Sequence, residues 1–426
     1  MALKNKKVIT MILFTALILL IWRLAYTIQI PLIDRQILGS DLQLFGFLDV
    51  FSGGALSNYS IVALGVSPYI TASIVIQLLQ MDIVPTLKEW AEEGEVGKKK
   101  LSQVTRYLAL GLAFVQSLTI TVGLAAYYDS SMMFQTGVDV NAFTYVYLAL
   151  VLTAGTAFVL WLAEKISLKG IGNGTSMFIV AGIVSSFPTM IDALLKQFIM
   201  KDDAKFVDIV LFFVVLLLFV VIIVGVVFME AAQRKIPVQY ANRPASAAFR
   251  GKGDSNIPIK LNSASVIPVI FASTLMSLPA TIVNFLDQSS NTTYWLNQIF
   301  DYSQPIGFVI YIILIFVFSF FYSFLQMNPE KMAENLQKQN AYIPGIRPGA
   351  ETASYISRVL FKITMVGAIY LSLIASIPIF MQRIFNLDSR IQIGGTSLII
   401  VVGVAIETAK QLKTQSQDKQ YRGFIE

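Results

Sequence analysis

The 426-residue chain has no cysteine and no histidine, and only 14% of its residues are charged. Without thiols there is no disulfide framework, thiolate nucleophile or cysteine metal site. Without imidazole there is no histidine base, proton shuttle or ligand. The charged fraction falls well below the roughly 25% of a soluble globular domain, while 55% of the residues are hydrophobic and the mean hydropathy is +0.67. Such a chain is a polytopic membrane protein. Ionisable groups are also scarce within the apolar runs. Arg23 lies in the outer part of the first run, and Glu164, Glu230 and Glu407 sit near inner helix ends. A proton- or ion-coupled transporter needs ionisable side chains at mid-membrane, and an intramembrane enzyme needs a convincing acidic pair where histidine and cysteine are missing. A passive conduit lined by hydroxyls, amides and aliphatics needs neither.

What the chain does contain is a series of long apolar runs. Ten spans can be marked, roughly Val8–Ile30, Val66–Val84, Tyr107–Tyr127, Phe143–Ala163, Thr175–Leu195, Val207–Met229, Ala264–Phe285, Ile306–Gln326, Ser354–Phe380 and Gly394–Lys413. The first follows Lys4, Lys6 and Lys7 and is too long for the core of a cleaved signal peptide, so a retained first helix is expected. Alternating the loops from an inner N-terminus places most of the 32 basic residues on one side, while the loop near Asp129 and Asp139 and the loop Asp287–Asp301 hold none. By the positive-inside rule both ends are expected in the cytoplasm. The pI of about 9.2 reports this orientation before it reports any nucleic-acid partner.

The most informative stretch is Ala63–Leu79. A Gly65-to-Pro68 break opens it, and Ser67, Thr71, Ser73 and Gln77 fleck an otherwise apolar run. A plain anchor needs neither feature; a broken helix lining a path does. Just before it, Leu48–Leu64 is half-apolar, rich in Gly and Ser (Ser52, Gly53, Gly54, Ser57) and too short to cross, as expected of a re-entrant segment. Val66 and Ile70 share a helix face, Thr175 and Ile179 repeat that spacing, and Ile270 and Ile400 lie inside the seventh and tenth spans. By spacing alone these are also what lipid-facing or core aliphatics look like. The turn Gly170–Gly174 could form a phosphate nest, but no Lys-Ser/Thr follows it, and a tight turn accounts for it as well.

Two inner loops exceed what a connector needs. In 230–263, Ile236–Tyr240 and Ile257–Leu261 alternate with period 2 around a basic tip holding Arg243, Arg250 and Lys252, which predicts a small β-hairpin standing off the membrane. In 327–353, Asn328-Pro329-Glu330 is a helix start. Two Pro-Gly turns then pin Arg347, and Tyr342, Ile343 and Ile346 beside it are expected to form a docking surface.

With these residues in hand the chain resembles the SecY/Sec61-alpha family, the channel subunit of the bacterial Sec protein-export translocon. The likeness rests on Ala63–Leu79 and Trp161–Ser176, on Gly94–Lys100, and on Ile267–Ser273, Pro344–Gly349, Gly394–Ile400 and Tyr421–Ile425. The resemblance implies an all-α polytopic membrane protein with ten transmembrane helices in two inverted five-helix halves, 1–200 and 201–426, closing around a pore. It implies a pore ring of Val66, Ile70, Thr175, Ile179, Ile270 and Ile400, and a plug at 48–64 including Ser52, Gly53, Gly54, Ser57 and Asn58. A lateral gate between spans two and seven would include Thr71, Gln77, Ser273 and Leu278. Arg347, Arg243, Arg250 and Lys252 would dock partners. The implied partners are the small subunits SecE and SecG, the SecA ATPase, the ribosome, signal peptides, unfolded preproteins and membrane lipids. No cofactor, metal or catalytic residue is implied. Two positions depart from the family pattern: Thr175 brings a hydroxyl to a ring that is usually apolar, and Ala247 and Ala248 stand where a basic pair is common. The alternative outside this family is a secondary transporter of small solutes built on inverted repeats.

Overall fold

The computed structural model describes residues 6–33, 52–56, 58–80, 83–127, 134, 141–200, 206–240, 255–284, 290–385 and 389–422. Helix α1 (Lys6–Thr27) is followed, beyond an irregular stretch, by α2 (Ser67–Leu79), α3 (Pro85–Glu92), α4 (Glu95–Tyr127), α5 (Ala142–Lys169) and α6 (Gly174–Phe198). Then come α7 (Phe206–Ala231), strands β1 (Gln233–Tyr240) and β2 (Ser255–Lys260), α8 (Ile267–Asn284), α9 (Asn291–Phe300), α10 (Pro305–Met327), α11 (Pro329–Lys338), β3 (Ala341–Tyr342), α12 (Ala350–Phe385) and α13 (Ser389–Arg422). Among the described residues, seven helices are long and apolar enough to cross a bilayer: α1, α4, α5, α6, α7, α10 and α12. Helix α7 is apolar around its whole circumference, with Phe213, Leu217, Val220, Val221 and Val224 exposed. That pattern belongs to a helix bathed in lipid, not to one packed on a soluble core.

Helix α2 is shorter than the expected span. It ends at Leu79, and its 13 residues cover only roughly 20 Å. The shortfall is at its far end, where Pro85 opens the separate helix α3; its start is set by what precedes it. Pro68 occupies the first helical positions and Gly65 has a φ of +53°, so the helix begins where the chain has already turned inside the protein. The preceding residues 52–56 and 58–66 are mostly turns whose side chains are largely buried, among them Ala55, Leu56, Tyr59, Val62 and Ala63. Irregular backbone at membrane depth needs local partners for its polar groups. Ser60 N donates to Ala55 O at 3.0 Å and Ile61 N to Ile28 O at 3.0 Å. Leu56 N donates to Ser52 Oγ at 3.2 Å, and Asn58 Nδ2 to Gly54 O at 3.1 Å.

Two similar packing series run through the bundle. In the first part α4 packs on α2 and α5, and α5 on α6 and α1. In the second, α10 packs on α8 and α12, and α12 on α13. The two parts meet through α2 with α8, α6 with α13 and α6 with α7.

At one end of the bundle the two long loops form a single platform. β1 pairs antiparallel with β2, Ile236 opposite Ile257, and β3 adds to the other edge of β1, Tyr240 opposite Ala341. The sheet order is therefore β2-β1-β3. Ile236, Val238, Ile259, Leu336, Ile343, Ile356 and Leu360 share one buried cluster. The strands thus lie against α11 and α12 instead of standing clear. Helix α12 makes this possible: its 36 residues extend roughly 54 Å, well beyond a hydrocarbon core of about 30 Å. Ile343, expected at a docking tip, is buried within the platform, whereas Tyr342 stays exposed and Ile346 is partly covered.

Candidate functional site

Aliphatic side chains from four helices converge at the centre of the bundle. Val66 at the start of α2, Ile70 on α2, Ile179 on α6, Ile270 on α8 and Ile400 on α13 are all buried and belong to one continuous apolar cluster. Helices α2 and α6 come from the first packing series, α8 and α13 from the second. Ile74, Val266 and Val404 extend the cluster one turn along their helices.

Thr175 stands outside it. Asn173 caps α6, accepting from Thr175 N at 3.1 Å and from Thr175 Oγ1 at 2.8 Å. The hydroxyl is therefore spent on the first turn of the helix. The residue that joins Ile179 in the cluster is Ile183, one turn further on and only 1% exposed. The sequence already starts this span at Thr175, one residue after the observed start at Gly174; what it does not show is that the Thr175 hydroxyl turns back onto the capping Asn173.

The turn at Gly53 abuts α6 and α1 beside this cluster. A Cβ on Gly53, which has a φ of +70°, would lie 2.8 Å from Ser185 Oγ, 3.0 Å from Gly182 Cα and 3.1 Å from the ring of Trp22. Tyr26 hydroxyl donates to Gly54 O at 3.1 Å and also accepts from Asn58 Nδ2. Ser52 is buried; Ser57 lies outside the described residues. Trp22 in turn packs edge-on against Phe178, ring centroids 5.7 Å apart. At these points α1 and α6 hold the segment, and Leu56 packs into a second apolar cluster with Ile120 and Leu124 of α4 and Leu148 and Leu152 of α5.

Helices α2 and α8 are in contact, and Thr71, Gln77 and Ser273 on them each hydrogen-bond within their own helix. Thr71 Oγ1 donates to Ser67 O at 3.3 Å and Gln77 Nε2 to Ser73 Oγ at 3.2 Å. Ser273 Oγ donates to Val269 O at 2.7 Å. Leu278 lies further along α8. Hydroxyls back-bonded in this way stay satisfied when two helices part, because no hydrogen bond between the helices is lost.

Two of the ionisable groups near the apolar runs, Glu164 and Glu230, are paired. Arg106 Nη2 lies 3.0 Å from Glu164 Oε1, joining α4 to α5. Glu230, only 4% exposed, has its carboxylate 3.6 Å from Lys260 Nζ at the root of the strands, and its backbone oxygen accepts from Lys410 Nζ on α13. Among the described residues no group of His, Cys, Asp or Glu could hold a metal ion.

On the platform Arg347 is exposed, and its loop is fixed on both sides. Ile346 N donates to Ile343 O at 3.1 Å and Thr352 Oγ1 to Arg347 O at 2.8 Å. Gly345 and Gly349 flank it at φ +81° and +102°. Arg243, Arg250 and Lys252, with Ala247 and Ala248, lie outside the described residues. A cavity of about 770 Å³ opens nearby between α11 and α12, edged by Asn328, Glu330, Glu334, Gln337 and Ser357. It shares no lining residue with the central cluster.

A sequence-family model described as SecY matches residues 60–409. The protein translocase subunit SecY of Halalkalibacterium halodurans is 45% identical over 417 residues, spanning 97% of this chain and 96% of the relative. That of Bacillus subtilis is 44% identical over the same length, with the same coverage. Among solved structures, one described as a protein conducting channel superposes with a TM-score of 0.65 at 17% identity, covering 96% of this chain and 92% of the other. Sec61 in the canine ribosome-channel complex from the endoplasmic reticulum gives 0.61 at 17% identity, with the same coverage. At these identities the structural likeness concerns the fold.

Proposed function

The chain belongs to the SecY family and is a multi-pass, protein-conducting channel of a bacterial membrane, and from that premise we propose how its parts divide the work. It is a conduit, not an enzyme, and membership of this family excludes the solute-transporter alternative. Ten helices cross the cytoplasmic membrane with both termini in the cytoplasm. Residues 1–200 and 201–426 are the two inverted halves. The repeated packing order, α2-α4-α5-α6 in one and α8-α10-α12-α13 in the other, supports this division.

The observation that carries the mechanism is the meeting of buried aliphatics from both halves. Val66, Ile70, Ile179, Ile183, Ile270 and Ile400 form the pore ring, with Ile183 in the place first expected of Thr175. A constriction of this kind hydrates poorly and blocks ions. It offers no hydrogen-bonding preference, so an unfolded secretory chain of almost any sequence can displace it. The turns at Ser52, Gly53, Gly54 and Asn58 act as a plug against α6, with Ser57 assigned to the plug by sequence. The α2–α8 contact is the lateral gate, with Thr71, Gln77, Ser273 and Leu278, through which an apolar signal helix leaves for lipid. The gate hydroxyls satisfied within their own helices support an opening that breaks little.

An arrested polypeptide tests the pathway. The chain lacks cysteine, so single cysteines report cleanly. A translocating chain held midway should crosslink to Ile70→Cys and Ile270→Cys and not to Leu217→Cys, whose site on α7 is 64% exposed toward lipid. Equal crosslinking at all three would overturn the assignment.

Motive force comes from outside the channel. The platform carries an exposed arginine on a fixed loop, which suits an acidic or phosphate-bearing partner: the SecA ATPase or the ribosome. The small subunits SecE and SecG would complete the assembly. Arg347→Glu should weaken motor docking by roughly 2 kcal/mol, about thirtyfold, while leaving the fold intact because the side chain is exposed. Motor-driven export into proteoliposomes is the measurement; full activity would remove Arg347 from the docking site.

A further inference from the structure

We propose that Glu92 and Lys331 form an electrostatic latch across the platform end of the lateral gate; the inference rests on the assignment of that gate to α2 and α8. Lys331 Nζ lies 3.7 Å from Glu92 Oε1. The pair joins α3 to α11, which belong to different halves.

Each partner is mounted rigidly on its own half. Helix α3 follows α2 after a short connection and is clamped to α4. Lys100 of α4 sits 2.9 Å from Glu93 and 5.6 Å over the Trp90 ring. Gly97 approaches Trp90 so closely that a Cβ there would lie 1.8 Å from the Trp90 carbonyl oxygen. On the other side, Asn328 separates α10 from α11 and caps it, its Oδ1 accepting from Lys331 N at 3.1 Å. Ala333 and Leu336 of α11 are buried, and α11 packs on α12 and β3. Helix α10 packs on α8, as α4 packs on α2. Parting α2 from α8 as rigid bodies therefore pulls Glu92 away from Lys331.

Neighbouring charges are engaged locally. Glu93 pairs with Lys100, and Glu334 pairs with Lys338 on its own helix at 2.7 Å. Glu92 and Lys331 are the partners that reach across. They are 56% and 58% exposed, so the attraction is modest and screened by salt. A weak latch suits this position: it biases the empty channel toward closure and yields to a docked partner or an inserting helix. The expected bias is about two- to fivefold in the closed-to-open ratio.

The test uses the full chain in native membranes, with cysteines replacing Thr71 and Ser273 and the rate of crosslinking between them as the measure of a closed gate. Lys331→Glu or Glu92→Lys alone should slow crosslinking about two- to fivefold. The exchanged pair, Glu92→Lys with Lys331→Glu, should restore the parent rate, and high salt should bring all four proteins together. If the cysteine pair never crosslinks in the parent, the gate assignment falls and the latch with it. If the parent crosslinks but charge reversal changes nothing, or the exchange fails to restore the rate, the latch alone is overturned.

Discussion

Ile70→Asn is expected to turn a sealed membrane into one that leaks ions. Ile70 is 7% exposed and lies in the apolar cluster shared by α2, α6, α8 and α13. Asparagine there removes apolar contacts and buries an amide among aliphatic neighbours that offer no hydrogen bond. Together these changes disfavour the closed state by about 2 to 5 kcal/mol. Since each 1.4 kcal/mol is tenfold in population, the open fraction should rise by roughly a hundredfold. Water entering the constriction satisfies the amide, so the substitution favours the hydrated state specifically. Ion conductance of the reconstituted channel in planar bilayers reads the effect directly. Ile270→Asn should behave alike from the opposite half. Two further variants separate the ring from its edge. Ile183→Asn should leak comparably, while Thr175→Ala, which alters only a helix cap, should stay sealed at some loss of stability, about 1 kcal/mol. A sealed Ile70→Asn channel would remove α2 from the constriction. A leaky Thr175→Ala beside a sealed Ile183→Asn would return Thr175 to the ring.

The second large effect follows from one methyl group. Gly155→Ala should destabilise the channel, although alanine is the better helix former by about 1 kcal/mol. A Cβ at Gly155 would lie 1.9 Å from the backbone oxygen of Ile61 and 2.8 Å from its carbonyl carbon. Both sides of that contact are backbone, so no side chain can rotate away. Either α5 moves, dragging its packing on α4 and α6, or the turns of 52–66 retreat. Ile61 N is bonded to Ile28 O and Tyr59 hydroxyl reaches Thr121 Oγ1 at 3.4 Å, so retreat breaks local partners as well. The expected net loss is about 3 kcal/mol or more, with ion leak as the second symptom if the plug is what moves. Gly111→Ala on α4 is the control: a Cβ there meets nothing within 4 Å, and the same substitution should be neutral or mildly stabilising. Chemical unfolding in detergent compares the two. Equal stability for both variants would show that α5 and the turns do not meet at Gly155.

Much of this was legible in the chain because it depends on local runs. A stretch such as 209–229 is apolar over its whole length, and bilayer partitioning asks nothing more of it. The break before Pro68, the period-2 stretches around Pro237 and Pro258, and the Asn328-Pro329 helix start each act through neighbouring residues; the two helices begin at those signals, while the strands include the expected stretches but begin three and two residues earlier, at Gln233 and Ser255. Side-chain surroundings were harder to read. Aliphatics that fall on more than one face of a helix cannot be told apart by type, so Ile179, Ile183 and the exposed Val184 look alike in sequence.

The sequence by itself determined that this is a membrane protein of many spans, where its chain breaks, and which family it resembles, because hydrophobic length and turn chemistry are properties of short segments. Only the tertiary structure decided that Ile183 and not Thr175 joins the central cluster, that Ile343 fills the platform instead of facing a partner, that Gly155 must lack a side chain, and that Glu92 meets Lys331. Each of these is settled by what packs opposite a residue from a distant part of the chain. In an apolar bundle, where hydrophobicity no longer distinguishes inside from outside, close packing and the need to satisfy every polar group are what select those neighbours.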